Sequence, residues 1–384
     1  MQPKLLNDLY FNSLFRQTIR NIRYKFERFL VFENKFILKT ITFINLAALT
    51  TLYHYFLSME NHEKLENDFV SHAQNAEIAS NVIVPKTILQ EVLRFTLYFL
   101  CGLVLSEVLT FLFQRFSGVD IVSLVSGKES ANFNIGQRNI LRALIFMNQI
   151  FLIGLPAFLT LRWVYKTEWF KTLGLNKRTN QFRLFLAVLM LIASAPCIYF
   201  LEEINKSVNL PAWMKSMEQS QDGLLNVLFS KEYSYEMVLT FILVAAIPAF
   251  CEELLFRGWL QPLMKHFFSN DHAAVWVTAI IFSAIHFQFE GFAARAALGA
   301  MLGYLFVWTK SLWYSIFVHF FNNGAQLFAL YTMNLKPEEM NKLDPGDSVH
   351  WTIAGLSLVS VLFLGTLIRD LSNGVQFFKF DDTN

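Results

Sequence analysis

Six residues in the second half of this 384-residue chain have the types and spacing for acid–base chemistry. Glu252, Glu253 and Arg257 lie in Ala249-Phe-Cys-Glu-Glu-Leu-Leu-Phe-Arg-Gly-Trp-Leu260, His286 closes Phe282-Ser-Ala-Ile-His286, and His319 and Asn323 bound His319-Phe-Phe-Asn-Asn323. On a helix, Glu253 and Arg257 share a face with the acid first, the favourable order for a pair, while Glu252 points about 100° away. The segment thus offers one carboxylate compensated locally and a second left for chemistry. Imidazoles and a carboxylate converging in a dry pocket can hold and deprotonate a water, and a His with an Asn can donate hydrogen bonds to a developing oxyanion. Such a constellation suits a hydrolase acting on an amide within the membrane.

The elements that must position these groups are membrane helices. The chain is 54% hydrophobic and 16% charged, with 41 Phe, where soluble domains average about 25% charged. The fold class expected is all-α, a polytopic transmembrane bundle of about eight or nine spans. Apolar runs of spanning length occur near 36–57, 92–113, 141–163, 183–201, 237–263, 273–289, 293–309, 312–331 and 351–368. An acidic or basic residue at a helix centre costs roughly 2.5 to 3.5 kcal/mol, so Glu252, Glu253 and Arg257 within 237–263 need partners and a reason to be retained. Gly299 and Gly303, with Ala296 and Ala300, form a small-xxx-small seam that permits close helix approach. The expected organisation is a basic amphipathic segment 1–35 on an anionic membrane face, an additional membrane region 36–140, a helical core 141–370 and a tail 371–384. Within 202–236, Pro211, Trp213 and a set of apolar residues suggest a helix in the interface.

Several classes drop out. A net charge of +2, with basic residues scattered between apolar runs, gives no nucleic-acid footprint. Cys101, Cys197 and Cys251 all sit in apolar runs and read as packing residues. No cleavable signal peptide is evident ahead of the first apolar run. Orientation follows from loop Lys/Arg: Lys166, Lys171, Lys177, Arg178, Lys265, Lys310 and Arg369 belong on the cytoplasmic side. Three spans then separate the 163–182 loop from the equally basic N-terminal segment, a conflict of parity that an early re-entrant run or one exceptional segment would resolve.

The ordered set Glu252-Glu253-x-x-x-Arg257, Phe282-x-x-x-His286 and His319-x-x-x-Asn323, lying within 249–323, resembles the three motifs of the CPBP family, the CaaX protease and bacteriocin-processing membrane enzymes related to type II CaaX prenyl endopeptidases. The resemblance covers about residues 183–331. It implies that Glu252 activates the attacking water with His286, that His319 and Asn323 stabilise the oxyanion, and that Glu253 and Arg257 hold the site together and help orient substrate. The expected partners are membrane lipid and a membrane-associated peptide or protein substrate, and the expected location is the cell (inner) membrane. No cofactor is required on this reading. Zinc stays open as an alternative, since Glu252, His286 and His319 could supply three ligands from three helices, although no His-Glu-x-x-His is present.

Each motif also has a plain structural meaning: an intramembrane Glu–Arg pair or a buried His can serve packing alone. A non-catalytic scaffold or chaperone that keeps these charges as helix glue is therefore the competing expectation, and a transporter finds less support because no inverted repeat is visible. One tension concerns depth. With alternating spans, Glu252 and His319 lie about 10 Å from the cytoplasmic side and His286 nearer the other.

Overall fold

The computed structural model describes residues 84–117, 134–215, 228, 234–333 and 349–374. The basic segment 1–35, the first apolar run at 36–57, residues 216–227 and 229–233 of the expected interfacial stretch and the end of the tail lie outside the described residues. Among the described residues every regular element is helical. We number the principal helices α1 (Val84–Ser117), α2 (Ile135–Val164), α3 (Gln181–Lys206), α4 (Tyr235–Phe268), α5 (Asp271–Ala284), α6 (Phe292–Thr309), α7 (Leu312–Thr332) and α8 (Trp351–Ser372).

Six of these, α1, α2, α3, α4, α6 and α8, are long and apolar enough to cross a membrane. The protein is an integral membrane protein. Helix α7 has 21 residues, but His319, Asn322, Asn323 and Gln326 dilute its apolar character. The run at 273–289 does not form one span, because α5 stops at Ala284 after 14 residues and the chain turns before α6. Local signals set these boundaries. Asn134 caps α2 in a capping box with Gln137, Asn180 caps α3, and the Asn270 side chain accepts from the amides of His272 and Ala273 to start α5. Helix α4 ends at Ser269 in the left-handed conformation, φ 53°.

Packing gathers the basic loops at one end. The Leu312 amide donates to Leu173 O at 2.9 Å, Ser311 Oγ to Gly174 O at 3.0 Å and Trp313 Nε1 to Leu175 O at 2.8 Å. Arg183 at the start of α3 reaches Ser372 at the end of α8, 3.3 Å away. The 163–182 loop, the Lys310 junction and the end of α8 therefore share one face, in line with their expected common side. Gly174 makes the approach possible, since its φ is +63° and a Cβ there would strike Lys310 O.

The α5–α6 hairpin leans on the glycine seam. A Cβ on Gly299 would stand 3.3 Å from Ala279 Cα, and one on Gly303 would stand 2.8 Å from Gln261 Oε1. The bare backbone also exposes carbonyls. Gly299 O accepts from Arg257 Nη2 at 2.8 Å and Gly303 O from Gln261 Nε2 at 3.1 Å, a two-rung ladder in which both partners are four residues apart. The main apolar core, containing Leu161, Phe256, Phe282 and Leu312, closes around this region, and Phe256 meets Phe282 edge to face at 5.0 Å.

Candidate active site

Helix α4 is not a uniform α-helix. It widens into π-helical turns at Ile242–Ala246 and Leu254–Leu260, on either side of the short α-helical stretch that ends with Glu252 and Glu253. Such bulges re-aim the side chains that follow them. Glu253 and Arg257 are fully buried, and Arg257 Nη1 donates to Glu253 Oε1 at 2.6 Å. The same carboxylate oxygen lies 2.8 Å from His319 Nδ1 on α7. Glu253 is thus a hub that ties Arg257 to His319, beyond the single pair read from the i,i+4 spacing.

Glu252 faces elsewhere. Its Oε2 is buried and has no hydrogen-bond partner among the described residues, yet it lies 3.7 Å from His286 Nε2 and 3.8 Å from His319 Nε2. Both imidazoles have their other nitrogen engaged: His286 Nδ1 is 2.6 Å from Phe282 O, and His319 Nδ1 is 2.8 Å from Glu253 Oε1. Those acceptors hold the Nδ1–H tautomers, so Nε2 of each ring faces Glu252. At 3.7 and 3.8 Å, both rings stand beyond direct hydrogen-bond distance of the Glu252 oxygen.

His286 reaches this point from a turn and not from a helix. It follows the end of α5, its amide bonded to Ser283 O at 3.3 Å, while its ring stays 4.8 Å from that of Phe282. The common face that a continuous helix over 273–289 would give Phe282 and His286 is therefore replaced by a turn that folds the ring back on Phe282. The depth tension vanishes for the same reason. The chain runs from Glu252 out to the turn at Ser269 and returns to His286 along an arm of about equal length, so the two come level. The turn is strained, with Phe287 at φ 52°, and it is clamped from outside. Arg295 donates to Gln288 O at 3.0 Å and Gln288 Oε1 at 2.7 Å, and Asn205 Nδ2 donates to Phe289 O at 2.5 Å.

Asn323 lies one turn beyond His319 on α7. Its Oδ1 accepts from Asn322 Nδ2 at 3.2 Å, which leaves its own amide N–H groups as donors. Among the described residues no hydrogen bond joins Asn323 to the Glu252–imidazole group. Gln149 was not expected at the site from the sequence. It opens a π-helical turn in α2 and donates to Glu252 Oε1 at 3.4 Å. A second buried charge group, Arg138, Arg142 and Glu236, was likewise unexpected, because the apolar runs near 141–163 and 237–263 leave most of it in linkers. Arg138 and Arg142 at i,i+4 in the opening turns of an apolar helix were the available signal.

The three residues considered for zinc do converge, but among the described residues no group of three His, Cys, Asp or Glu side chains is placed to hold a metal ion. His319 is turned through Nδ1 into the Glu253–Arg257 pair, and the Glu252 oxygen stands 3.7 and 3.8 Å from the Nε2 atoms of His286 and His319.

Buried carboxylates, two imidazoles and a guanidinium in a bundle of spanning helices define a class of polytopic membrane protein with a polar centre. Residues 234–325, which contain every site residue expected from the sequence, match the family described as Type II CAAX prenyl endopeptidase Rce1-like. The chain is also 30% identical over 112 residues to the uncharacterized protein YpbD of Bacillus subtilis (strain 168), a match covering 28% of this chain and 52% of that protein. The chain spans about half the length of this relative. No solved structure matches it.

Proposed function

We propose that the protein is an intramembrane endopeptidase that hydrolyses peptide bonds of membrane-associated proteins or peptides, seated in the cell membrane. The observation that carries this reading is the unpartnered Glu252 oxygen facing two imidazole nitrogens whose tautomers are fixed from behind. Glu252 is the general base. It takes a proton from the water held between Oε2 and the two rings, the hydroxide attacks the scissile carbonyl, and the proton passes to the leaving amine as the C–N bond breaks. His286 Nε2 orients the water.

His319 takes the part of oxyanion donor with Asn323. The Glu253 carboxylate fixes the ring through Nδ1, which turns Nε2 toward the Glu252 oxygen where the substrate carbonyl would enter. Glu253 and Arg257 act through His319 as positioning residues. Likeness to the prenyl endopeptidases supports the reaction type, and a prenyl group on the substrate is no part of this reading.

The scaffold reading makes an opposite prediction for one substitution. Glu252→Gln keeps size and hydrogen bonding but removes the base. Peptides that accumulate in cells lacking the protein identify its substrates. Cells complemented with the Glu252→Gln variant should accumulate the same peptides as the deletion strain, with the variant present in the membrane at normal level. Full complementation by that variant would establish the scaffold and remove the protease.

A further inference from the structure

The second buried charge group lies where α2 and α4 begin. Glu236 is fully buried, and Arg138 and Arg142 are 5% and 4% exposed. Arg138 grips the carboxylate side-on, Nε to Oε1 at 2.9 Å and Nη2 to Oε2 at 3.2 Å. Arg142 uses a different edge. Its Nη1 donates to Glu236 Oε1 and to Asn139 Oδ1, both at 2.9 Å. The Nε and Nη2 atoms of Arg142 are buried without a hydrogen-bond partner among the described residues. They form the same planar fork that Arg138 fills with a carboxylate.

Two guanidinium groups facing one carboxylate leave one positive charge in excess, and two parallel N–H donors are left unsatisfied. A guanidinium fork of this kind matches a pair of oxygens on one anionic centre. We propose that Arg142 is the heart of an oxyanion site that takes a phosphate. The depth favours a membrane source. Arg138 and Glu236 stand in the first turns of helices that start at Ile135 and Tyr235 and are long and apolar enough to cross a membrane, which puts the fork close to the level of lipid headgroups. This is the face opposite Lys265 and Lys310. On the same two helices Phe146, Tyr235, Val238 and Ile242 expose apolar surface along which acyl chains can lie. The shared chemistry is a phosphate anion, carried by an anionic lipid headgroup or free in solution. The site makes no use of the Glu252 centre, so it stands or falls independently of the protease reading.

The test uses the full-length protein in mild detergent. Native mass spectrometry reads retention of added phosphatidylglycerol against phosphatidylcholine, and thermal unfolding reads the response to inorganic phosphate. The wild type should retain one phosphatidylglycerol, at least ~10-fold over phosphatidylcholine. Arg142→Lys keeps the charge and loses the planar fork; it should lower that retention by a similar factor. Arg142→Gln should do the same, and if it fails to fold the Lys variant carries the test. Glu236→Gln removes the competing carboxylate and should tighten binding several-fold. A phosphate-dependent rise in melting temperature in the wild type, absent in Arg142→Lys and without lipid retention, identifies free phosphate as the occupant. Equal retention by wild type and both Arg142 variants, or no response to either probe, overturns the site.

Discussion

Two fully buried glutamates, Glu253 and Glu236, are built alike, and what surrounds them differs in sign. Each accepts from two nitrogen-bearing side chains on separate positions: Glu253 from Arg257 and His319, Glu236 from Arg138 and Arg142. Around Glu253 the polar atoms left over are two acceptors, Oε2 of Glu252 and Oε2 of Glu253, and one donor, Arg257 Nε, and the acceptor that faces the imidazoles is Glu252 Oε2. Around Glu236 the atoms left over are donors, Nε and Nη2 of Arg142. A spare acceptor facing imidazoles attracts a proton-bearing molecule such as water, whereas spare donors on a guanidinium attract an anion. The same motif of a buried carboxylate under two donors therefore builds a centre suited to acid–base chemistry in mid-helix and one suited to anion capture at a helix start.

The largest effect expected is on turnover at the first centre. Glu252→Gln replaces the spare carboxylate with an amide, and His286→Ala removes the ring that faces the Glu252 oxygen. Each should lower the rate by on the order of 10² to 10⁴, with the helical circular dichroism of the purified protein unchanged. Near-normal turnover by Glu252→Gln would break the contrast at its chemical end, because the spare acceptor would then have no chemical task.

The next effect separates the two clusters by stability. Arg257→Met leaves Glu253 charged, fully buried and held by His319 alone, a loss of about 3 to 5 kcal/mol for a broken buried pair. Combining it with Glu253→Gln removes the uncompensated charge and should recover much of that loss, a coupling read from a double-mutant cycle on thermal unfolding in detergent. Arg142→Met should cost clearly less than Arg257→Met, since Glu236 keeps its two-point contact with Arg138 and the surplus charge disappears. Equal losses at the two arginines would show that charge surplus is not what distinguishes the clusters.

The central site was largely legible in the sequence and the peripheral one was not, and the reason is physical. Charges in the middle of an apolar run are costly wherever they occur, so Glu252, Glu253 and Arg257 announce themselves, and spacing alone forms the Glu253–Arg257 pair. Charges at the ends of runs, such as Arg138 and Glu236, are cheap and common, and only packing of α2 against α4 reveals that they meet and are buried. Contacts across helices were equally hidden. Nothing in the order of residues says that His319 bonds Glu253 and not Glu252, because the two glutamates are adjacent and the choice depends on how α7 is rotated. The π-helical turns at 149–154 and 254–260 were invisible for a related reason, since they shift register by a fraction of a turn without a change in composition. Helix α5 gives way at Ala284 where the apolar pattern runs on, so the pattern puts His286 on a helix face and the chain puts it in a strained turn.

Asn323 sharpens the chemical end of the comparison. Its carbonyl oxygen is taken by Asn322, so its remaining donors can serve only an acceptor such as the oxyanion. Asn323→Ala should cost roughly 2.7 to 4 kcal/mol of transition-state stabilisation, felt in kcat with KM little changed. A rise in KM at constant kcat would make Asn323 a substrate contact instead.

Gln149 gives the smallest effect and the most discriminating one. It reaches the carboxylate of Glu252 from α2, a helix outside the segment that matches the Rce1-like family, and its hydrogen bond is long at 3.4 Å. A bond of that length at the edge of a site is worth less than the roughly 1.5 to 3 kcal/mol typical of hydrogen bonds to charged groups. Its value is directional: by engaging Oε1 it leaves Oε2 as the oxygen that faces the two imidazoles. Gln149→Leu should therefore lower kcat by about ten-fold or less while leaving stability within about 1 kcal/mol, since the buried apolar replacement compensates the lost bond. Gln149→Glu would place a second carboxylate against Glu252 and add one negative charge to the centre, and it should lower kcat by more than Gln149→Leu does. Equal kcat in all three proteins would mean that Gln149 does not touch Glu252, and that α2 contributes to this protein only through the cluster at its other end.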